Sequence, residues 1–440
     1  MTGRPPVSEP WAWIEALQRF GVRPGLERIR ALLAALGDPQ DALEVALVAG
    51  TNGKGSVTAL LDAMLRAEGA QGAVGRFVSP HLERFEERFA VDGRPLAGDV
   101  MAEALRTARP AAERIGATFF EVLVAVALLV FAHAGVRRAV LEVGMGGRFD
   151  ATNATDPTLS VITQVALDHE AVLGPDVATI AGEKAGILRR GRPAVTSAEG
   201  DALAVVRARA REAGAPLVVL DEVGFVGRSL GWAGVEAVGV GPTSLRSPLL
   251  GAHQARNLAV AALAATAWGV PWSAVVRGAA SARWPGRLEP LVAHGARWLL
   301  DGAHNPAGAT ALAQALVDLR AAPSVAVVGA TRDRVEGELL EVLATLAPRF
   351  VATRATGSPR SAAPEEVAAR LRRAGVPSDR VRVAPDVAAA LPSAAEWAEE
   401  GRAAADVEAP TLVVAGSLFL VGEARAWLRG REPEAFERWQ

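Results

Sequence analysis

The chain has 440 residues and a formal net charge of -2; half of its residues are hydrophobic and 22% are charged. This length favours two domains, the composition excludes a chain that is disordered throughout, and the near-neutral charge argues against non-specific binding to nucleic acids or acidic membranes. Cysteine is absent, which excludes disulfides, thiolate metal sites and thiol catalysis. Because no apolar segment preceded by basic residues occurs near the amino terminus, we expect a cytoplasmic protein with small-molecule partners.

Short apolar runs alternate with longer amphipathic segments along the first half of the chain. Strands are predicted, in chain order, at residues 45–49, 74–78, 139–143, 160–165 and 194–197. Helices are predicted between them, for example at 57–67 and 177–188, and the most apolar stretch, 119–134, is too short to span a bilayer and is interpreted as a buried helix. This alternation is typical of βαβ units, so the predicted architecture is α/β with a parallel sheet.

The second half repeats this organisation after two interruptions. Glycines and short β-like runs at 223–250 predict an antiparallel excursion, and helical sequence resumes near residue 254. A Pro-Gly pair at 285–286 marks a boundary, so we predict one domain at 1–290 and a second at 297–440. Further strands are predicted at 297–300, 325–328, 350–353, 381–384 and 411–415.

Lysine is rare in this chain: of 47 basic residues only Lys54 and Lys184 are lysines. Their survival in an arginine-biased composition is either accidental or reflects positions that need a compact ammonium or a titratable amine, which arginine cannot supply. The second interpretation is favoured because both lysines fall within motifs.

The first motif, GTNGKGS, joins the strand at 45–49 to a helix. Its glycines let backbone N–H groups approach phosphates, the helix N-terminus favours negative charge, and the Lys54 ammonium can reach terminal phosphate oxygens. The motif departs from G-x-x-x-x-G-K-[ST], because Val48 stands at the first glycine position and Gly55 separates Lys54 from Ser56. A kinase or GTPase is thereby disfavoured, while binding of nucleotide phosphates remains the prediction.

Polar residues also follow three other predicted strands. Glu142 ends an apolar run, His169 follows Asp168, and Ser79 precedes a proline. Ligands of open parallel sheets bind beyond the carboxyl ends of the strands, so Glu142, Ser79 and His169 are candidate ligands of a divalent metal. The alternatives are an ion pair of Glu142 with Arg148, a structural histidine and a serine that only ends its strand.

Two further motifs carry candidate groups. In GEKAGIL, Lys184 can, as a neutral amine, form a carbamate with carbon dioxide, and this anion would bind a cation; the alternative is an exposed helix lysine. In LDGAHNP, Asp301, His304 and Asn305 end a strand just before a helix, where Pro306 suits the first helical turn.

Taken in order, GTNGKGS, SPHL, LEVGMGGRFDATN, DHEAVLG, GEKAGIL, WPGRLE and LDGAHNP resemble the folylpolyglutamate synthase and dihydrofolate synthase family, which is related to the Mur ligases. The resemblance covers residues 25 to about 421. It implies an N-terminal P-loop ATPase-like domain, a smaller C-terminal Rossmann-like domain, and a cleft between them that holds ATP, two magnesium ions and the substrate.

The resemblance also implies roles for individual residues. The ATP contacts would be Asn52, Gly53, Lys54, Gly55, Ser56, Asn257, Arg287 and Asp301. The pterin-bearing substrate would contact Phe119, Phe120, Glu121, Arg148, Phe149 and Asp150. Ser79 and Glu142 would bind one magnesium and His169 the other, Lys184 would be carboxylated on its amine, and His304 would orient ligands across the cleft.

The implied function is ATP-dependent ligation of L-glutamate to dihydropteroate, to folates, or to both, through an acyl phosphate, by an enzyme expected to be monomeric. One alternative is a Mur-type ligase acting on another acid, although the phosphate loop begins too early for a preceding nucleotide-sugar domain. Another is a regulatory nucleotide-binding ATPase, which the second predicted sheet disfavours. The segments 170–172 and 333–335 depart from the family pattern, and the second reads Asp-Arg-Val where Asp-Lys-Asp is frequent.

Overall fold

Two β-sheets, one in each half of the chain, organise the computed structural model, which describes residues 9–18, 21, 23–69, 72–400 and 409–432. The α/β class and the two predicted parallel-sheet regions are confirmed. Within the described residues, no helix combines the length and the apolar character that crossing a bilayer requires.

The first sheet has eight strands. In chain order they are β1 (Glu44–Ala49), β2 (Ala73–Phe77), β3 (Phe89–Val91), β4 (Arg94–Pro95), β5 (Val136–Glu142), β6 (Leu159–Ile162), β7 (Ala194–Thr196) and β8 (Leu217–Val219). Across the sheet the order is β4-β3-β2-β5-β1-β6-β7-β8, with β3 and β4 antiparallel and the other pairings parallel. The five predicted strands correspond to β1, β2, β5, β6 and β7. Strands β3, β4 and β8, of two or three residues each, were not predicted because runs this short carry little periodic signal.

Helices cover both faces of this sheet. They are α1 (Trp11–Leu17), α2 (Glu27–Ala35), α3 (Lys54–Glu68), α4 (Gly98–Ile115), α5 (Phe119–His133), α6 (Glu170–Leu173), α7 (Val177–Lys184), α8 (Gly200–Ala213), α9 (His253–Ala267) and α10 (Trp272–Ser281). Val45 and Leu47 of β1 join one hydrophobic cluster, while Ala46 and Val48 join the cluster on the opposite face. This alternation explains why the strand reads as one continuous apolar run.

The predicted antiparallel excursion forms a small three-stranded sheet of β9 (Val226–Ser229), β10 (Val235–Val238) and β11 (Leu245–Ser247).

The apolar stretch predicted as a buried helix is α5, which begins with a capping box between Thr118 and Glu121. Helix α3 begins at Lys54 and not at the predicted residue 57, because Gly53, with φ 90°, already turns the chain into the helix.

The second sheet has six strands. In chain order they are β12 (Glu289–Ala293), β13 (Ala296–Leu300), β14 (Val325–Val328), β15 (Phe350–Ala352), β16 (Val381–Val383) and β17 (Thr411–Ala415), arranged as β12-β13-β17-β14-β15-β16. Its helices are α11 (Pro306–Asp318), α12 (Leu339–Leu343), α13 (Pro364–Arg373), α14 (Val387–Glu400) and α15 (Leu418–Leu428). Strand β12, an antiparallel edge strand that was not predicted, places Glu289 and Pro290 in this second sheet.

Candidate active site

A cavity of about 770 Å³ lies between the strand ends of the two sheets. Every predicted site residue except Lys184, Arg148 and Asn305 lines it. Because the carboxyl ends of parallel strands meet at one edge of a sheet, motifs that are far apart in sequence converge here.

The phosphate loop is tightly folded around its lysine. Gly50 has φ 147°, and a Cβ there would lie 1.8 Å from Thr163 Oγ1, so only glycine fits. Lys54 Nζ donates hydrogen bonds to the carbonyl oxygens of Gly50 and Thr51, each over 3.1 Å. The ammonium therefore lies beside the N-terminus of α3, where it can meet an anion.

Helix α9 closes the other side of this loop. A Cβ on Gly53 would lie 2.4 Å from Asn257 Oδ1. Gln254 Nε2 donates to Ser56 Oγ over 3.2 Å, and Asn257 Nδ2 donates to Gln254 Oε1 over 3.0 Å. Gln254 was not predicted as a site residue, although its spacing of three from Asn257 places both side chains on one helix face.

Glu142 is the buried carboxylate at the end of β5. The backbone N–H of Ser79 lies 3.4 Å from Glu142 Oε2. Burial raises the pKa of Glu142, opposed by the positive charges of Lys54 and Arg287. The alternative ion pair with Arg148 is not formed, since Arg148 lies 3.7 Å from Glu183 instead.

Glu142 and Ser79 suit a magnesium ion. A buried carboxylate needs a compensating positive charge, and Mg²⁺ prefers oxygen ligands, usually keeps several waters, and often binds through one or two carboxylates together with substrate phosphates. Among the described residues no group of three or more His, Asp and Glu side chains is arranged to hold a metal. The donor set therefore fits an ion that a nucleotide would help to bind.

His169 and Asp168 lie at the neighbouring strand end and meet the second domain. His169 Nε2 lies 3.8 Å from Asp168 Oδ1, and the Arg334 guanidinium, from the loop after β14, donates to the same oxygen. Burial by itself would raise the pKa of Asp168, but His169 and Arg334 lower it to about 2. Desolvation lowers the pKa of His169, which favours the neutral imidazole that metals bind.

Lys184 lies behind the phosphate loop. Its side chain is buried, and Nζ donates to the Gly50 carbonyl over 2.9 Å. Burial and the charge of Lys54 lower the pKa of Lys184 to about 7. The alternative of an exposed helix lysine is wrong, and a sizeable fraction of this amine is neutral near pH 7.

The three aromatic rings predicted to contact the pterin all line the cavity. Phe119 is buried at the start of α5, whereas Phe149 is 50% exposed. Phe120 packs on Gly144, where a Cβ would lie 2.5 Å from the ring. The rings and the glycine-rich loop together form an apolar wall suited to a flat aromatic ligand.

The two carboxylates predicted beside these rings also hold the protein together. Glu121 Oε2 accepts from the N–H of Thr118 over 2.7 Å and from Arg28 Nε over 3.2 Å. Asp150 Oδ2 accepts from the N–H of Met145 over 2.9 Å. Both line the cavity, so any contact with a ligand uses the remaining lone pairs of these oxygens.

The second domain contributes Asp301 and the residues after it. The carboxylate of Asp301 accepts from the N–H groups of Leu288 and Ala303, each over 2.8 Å. His304 Nδ1 lies 2.9 Å from the Gly302 carbonyl, and burial lowers the pKa of His304 to about 4. The neutral ring therefore donates from Nδ1 and leaves Nε2 as an acceptor.

Two contacts connect these strand ends across the cleft. Asn305 Nδ2 donates to Asn52 Oδ1 over 3.0 Å, which joins the second domain to the phosphate loop. Arg287, in the connecting segment, lies close to Gly302, where a Cβ would lie 2.1 Å from Nη1. Its positive charge opposes the rise that burial causes in the pKa of both Glu142 and Asp301. Arg287 therefore acts on a carboxylate of each domain.

Comparison with known proteins agrees with this arrangement. The family model described as Mur ligase middle domain matches residues 48–265, and the one described as Mur ligase, glutamate ligase domain matches residues 286–418. A Mycobacterium tuberculosis protein named dihydrofolate synthase/folylpolyglutamate synthase is 35% identical over 455 residues, covering 94% of this chain and 91% of the relative.

Two further similarities concern a longer relative and a solved structure. A Haloferax volcanii protein named probable bifunctional folylpolyglutamate synthase/dihydropteroate synthase is 40% identical over 437 residues, covering 95% of this chain. This chain spans only 50% of that relative's length. The structure titled E. coli FolC in complex with DHPP and ADP superimposes with a TM-score of 0.82 at 31% identity, covering 95% of this chain and 97% of the other.

Proposed function

This chain belongs to the family of folylpolyglutamate and dihydrofolate synthases, built from the two Mur ligase domains, and on that premise we propose that it is an ATP-dependent ligase. It joins the amine of L-glutamate to the carboxylate of dihydropteroate, of a folate, or of both, and releases ADP and phosphate. The observation that carries the proposal is the single cavity in which Lys54 and Glu142 of the first domain face Asp301 and His304 of the second. One space thus accommodates a nucleotide, an acid and an incoming amine.

The first step is phosphoryl transfer to the acid. The substrate carboxylate attacks the γ-phosphorus, ADP leaves, and an acyl phosphate forms. The Lys54 ammonium and the N–H groups at the start of α3 stabilise the negative charge on the transferring group. Asn52, Gly53, Gly55 and Ser56 hold the phosphates, with Asn257, Arg287 and Asp301 at the nucleotide.

In the second step the glutamate amine attacks the acyl carbon and phosphate leaves, which gives an amide. His304 orients a ligand through Nε2. With a pKa of about 4, the ring serves better as a hydrogen-bond acceptor than as a general base near neutral pH.

Two magnesium ions complete the proposed site. Ser79 and Glu142 would hold one ion, and His169 would contribute to the other. When bound, the ions would supply positive charge that neutralises the negative charge developing on the phosphate oxygens. Lys184, as a carbamate, would add an anion beside them, and its pKa of about 7 supports this assignment.

The acid is proposed to be a pterin derivative because the apolar wall of Phe119, Phe120 and Phe149 suits stacking on a flat ring. Glu121 and Asp150 border this wall, and Arg148 lies just outside the cavity. The haloarchaeal relative, named as also a dihydropteroate synthase, supports dihydropteroate as one acceptor. We further propose a cytoplasmic monomer, to be checked by cell fractionation and light scattering.

The test is phosphate release from purified protein with ATP, Mg²⁺ and L-glutamate, comparing dihydropteroate, tetrahydrofolate and a muramyl substrate. Mass spectrometry would identify a product that is heavier than the pterin acid by one glutamyl residue. We expect release to require both glutamate and a pterin acid. If the muramyl substrate alone supports turnover, the chain is a ligase of another acid. If the rate of ATP hydrolysis is the same with and without each of the three acids, the ligation proposal is wrong.

A further inference from the structure

A buried ion cluster joins the two domains at the loop that carries Ser79. Glu83, four residues after Ser79, has a side chain only 4% exposed, and its carboxylate accepts from Arg425 of α15. Arg431 Nη1 lies 3.3 Å from the other oxygen of Glu83. A residue beside the proposed metal site is thus held by the C-terminal helix.

The same arginine also contacts Glu289, which binds the segment that connects the domains. Arg425 Nε donates to Glu289 Oε2 over 2.8 Å, and this oxygen accepts from the N–H of Gly286 over 2.9 Å. The Arg425 side chain is 10% exposed. The Arg425 guanidinium therefore links α15 directly to the loop after β2, and it is linked to the connecting segment through Glu289 of β12.

Apolar packing follows the same route. Leu82, three residues after Ser79, belongs to the hydrophobic core of the second domain together with Phe419 and Val421. A Cβ on Gly286 would lie 2.8 Å from Leu82 Cδ1, so the connecting segment passes directly over this side chain. The loop begins on the first sheet but is anchored in the second domain.

Hydrogen bonds hold this loop both at its anchor and at Ser79. Glu87 Oε2 accepts from the N–H groups of Leu82 and Glu83, over 2.9 and 3.1 Å. At the other end, the Ser79 N–H lies 3.4 Å from Glu142 Oε2. Only Pro80 and His81 separate the anchored residues 82–83 from Ser79, a proposed magnesium ligand.

We propose that Arg425 is a positioning residue for the Ser79–Glu142 magnesium site, so that the placement of the second domain sets the geometry of a metal site built on the first. The inference rests on the proposed function, because it takes Ser79 and Glu142 as metal ligands. Loss of a side chain that orients metal ligands typically weakens metal binding by about 10- to 100-fold. Arginine suits the position because its planar fork reaches two carboxylates, which the single ammonium of lysine does not.

The first experiment measures metal binding without catalysis. Mn²⁺ is titrated into protein saturated with ADP, and free Mn²⁺ is followed by electron paramagnetic resonance. We expect Arg425→Gln to weaken Mn²⁺ binding about 10- to 100-fold and Arg425→Lys to restore part of it. Affinity for ADP in EDTA should not change, since no contact with the phosphate loop is removed.

Arg431→Gln is the matched control. It removes a second arginine from the same carboxylate, but this side chain is 55% exposed, so the expected change is within about threefold. Leu82→Ala tests the same anchor without altering charge, and it should weaken Mn²⁺ binding in the same direction. If Arg425→Gln does not fold, as judged by circular dichroism, Arg425→Lys and Leu82→Ala decide the question.

Kinetics give a second readout. In the variants of Arg425 the half-saturating Mg²⁺ concentration should rise while kcat at saturating Mg²⁺ stays near that of the wild type. Wild-type affinity for Mn²⁺ in folded Arg425→Lys and Leu82→Ala would overturn the inference and leave the proposed function intact. Absence of nucleotide-dependent Mn²⁺ binding in the wild type would overturn the metal site itself.

Discussion

Replacement of Lys184 by arginine separates the charge of this side chain from its chemistry. The guanidinium of an arginine stays protonated near neutral pH and forms no carbamate. The Lys184 pKa of about 7, in contrast, leaves about 90% of the amine neutral at pH 8. At the ordinary lysine pKa of 10.5, the neutral fraction at that pH is about 0.3%. Burial thus raises the reactive fraction about 300-fold.

The expected result for Lys184→Arg is a loss of ligase activity of about 100-fold, because a proposed anionic ligand near the magnesium ions becomes a fixed cation. Phosphate release with ATP, glutamate and dihydropteroate measures the loss. Lys184→Ala should recover part of its activity when acetate or propionate is added, since a small carboxylate can enter the space that the side chain leaves.

Carbon-13 NMR after equilibration with labelled bicarbonate detects the carbamate directly. Only two lysines occur in the chain, so Lys54→Arg is a matched control that should lose activity but keep the lysine carbamate signal. Full activity of Lys184→Arg, together with an unchanged labelled spectrum, would refute the role of Lys184.

The same pKa predicts how stability depends on pH. In the folded chain Lys184 loses its proton near pH 7, while in the unfolded chain it keeps the proton up to about pH 10.5. The unfolded state therefore binds more protons between these values, and the free energy of unfolding should rise by up to about 1.4 kcal/mol per pH unit in that window relative to Lys184→Met. Identical slopes in urea denaturation of the two proteins would contradict the lowered pKa.

Three other substitutions test the site. Gly53→Ala introduces a Cβ at φ 90° and 2.4 Å from Asn257 Oδ1, so we expect a strain of about 1 to 3 kcal/mol and weaker ADP binding by calorimetry. Arg334→Gln removes the partner of Asp168, whose pKa is lowered to about 2. This substitution should lower the free energy of unfolding by at most about 2 kcal/mol above pH 4, and the difference should disappear as the pH falls through about 2. Denaturation curves at several pH values would detect it. Glu142→Gln should raise the half-saturating Mg²⁺ concentration about 10- to 100-fold, and an unchanged Mg²⁺ dependence of phosphate release would exclude Glu142 as a ligand.

Much of the site could be predicted because its residues follow strands. Ser79, Glu142 and His169 stand in three separate motifs, and their convergence follows from the rule that parallel strands end at one edge of a sheet. Strands β3, β4, β8 and β12 were not predicted because their pairing depends on neighbours in the sheet and not on a local period.

The ion pairs between the domains could not be predicted from the sequence around either residue. Asp168 and Arg334 are separated by 166 residues, and Glu83 and Arg425 by 342. Each of these side chains alone reads as an ordinary surface charge. Their pairing arises only when the second domain packs on the loops of the first.

The sequence by itself determined the α/β class, the two sheets, the phosphate loop and the chemical identity of the candidate ligands, because local periodicity and motif chemistry are carried by neighbouring residues. The tertiary structure decided the protonation state and position of those groups. Lys184 is an unusual amine only because folding buries it against Gly50 and near Lys54. Burial and long-range charge act through space and not along the chain, so the pattern of residues predicts which groups are present and the fold decides what they can do.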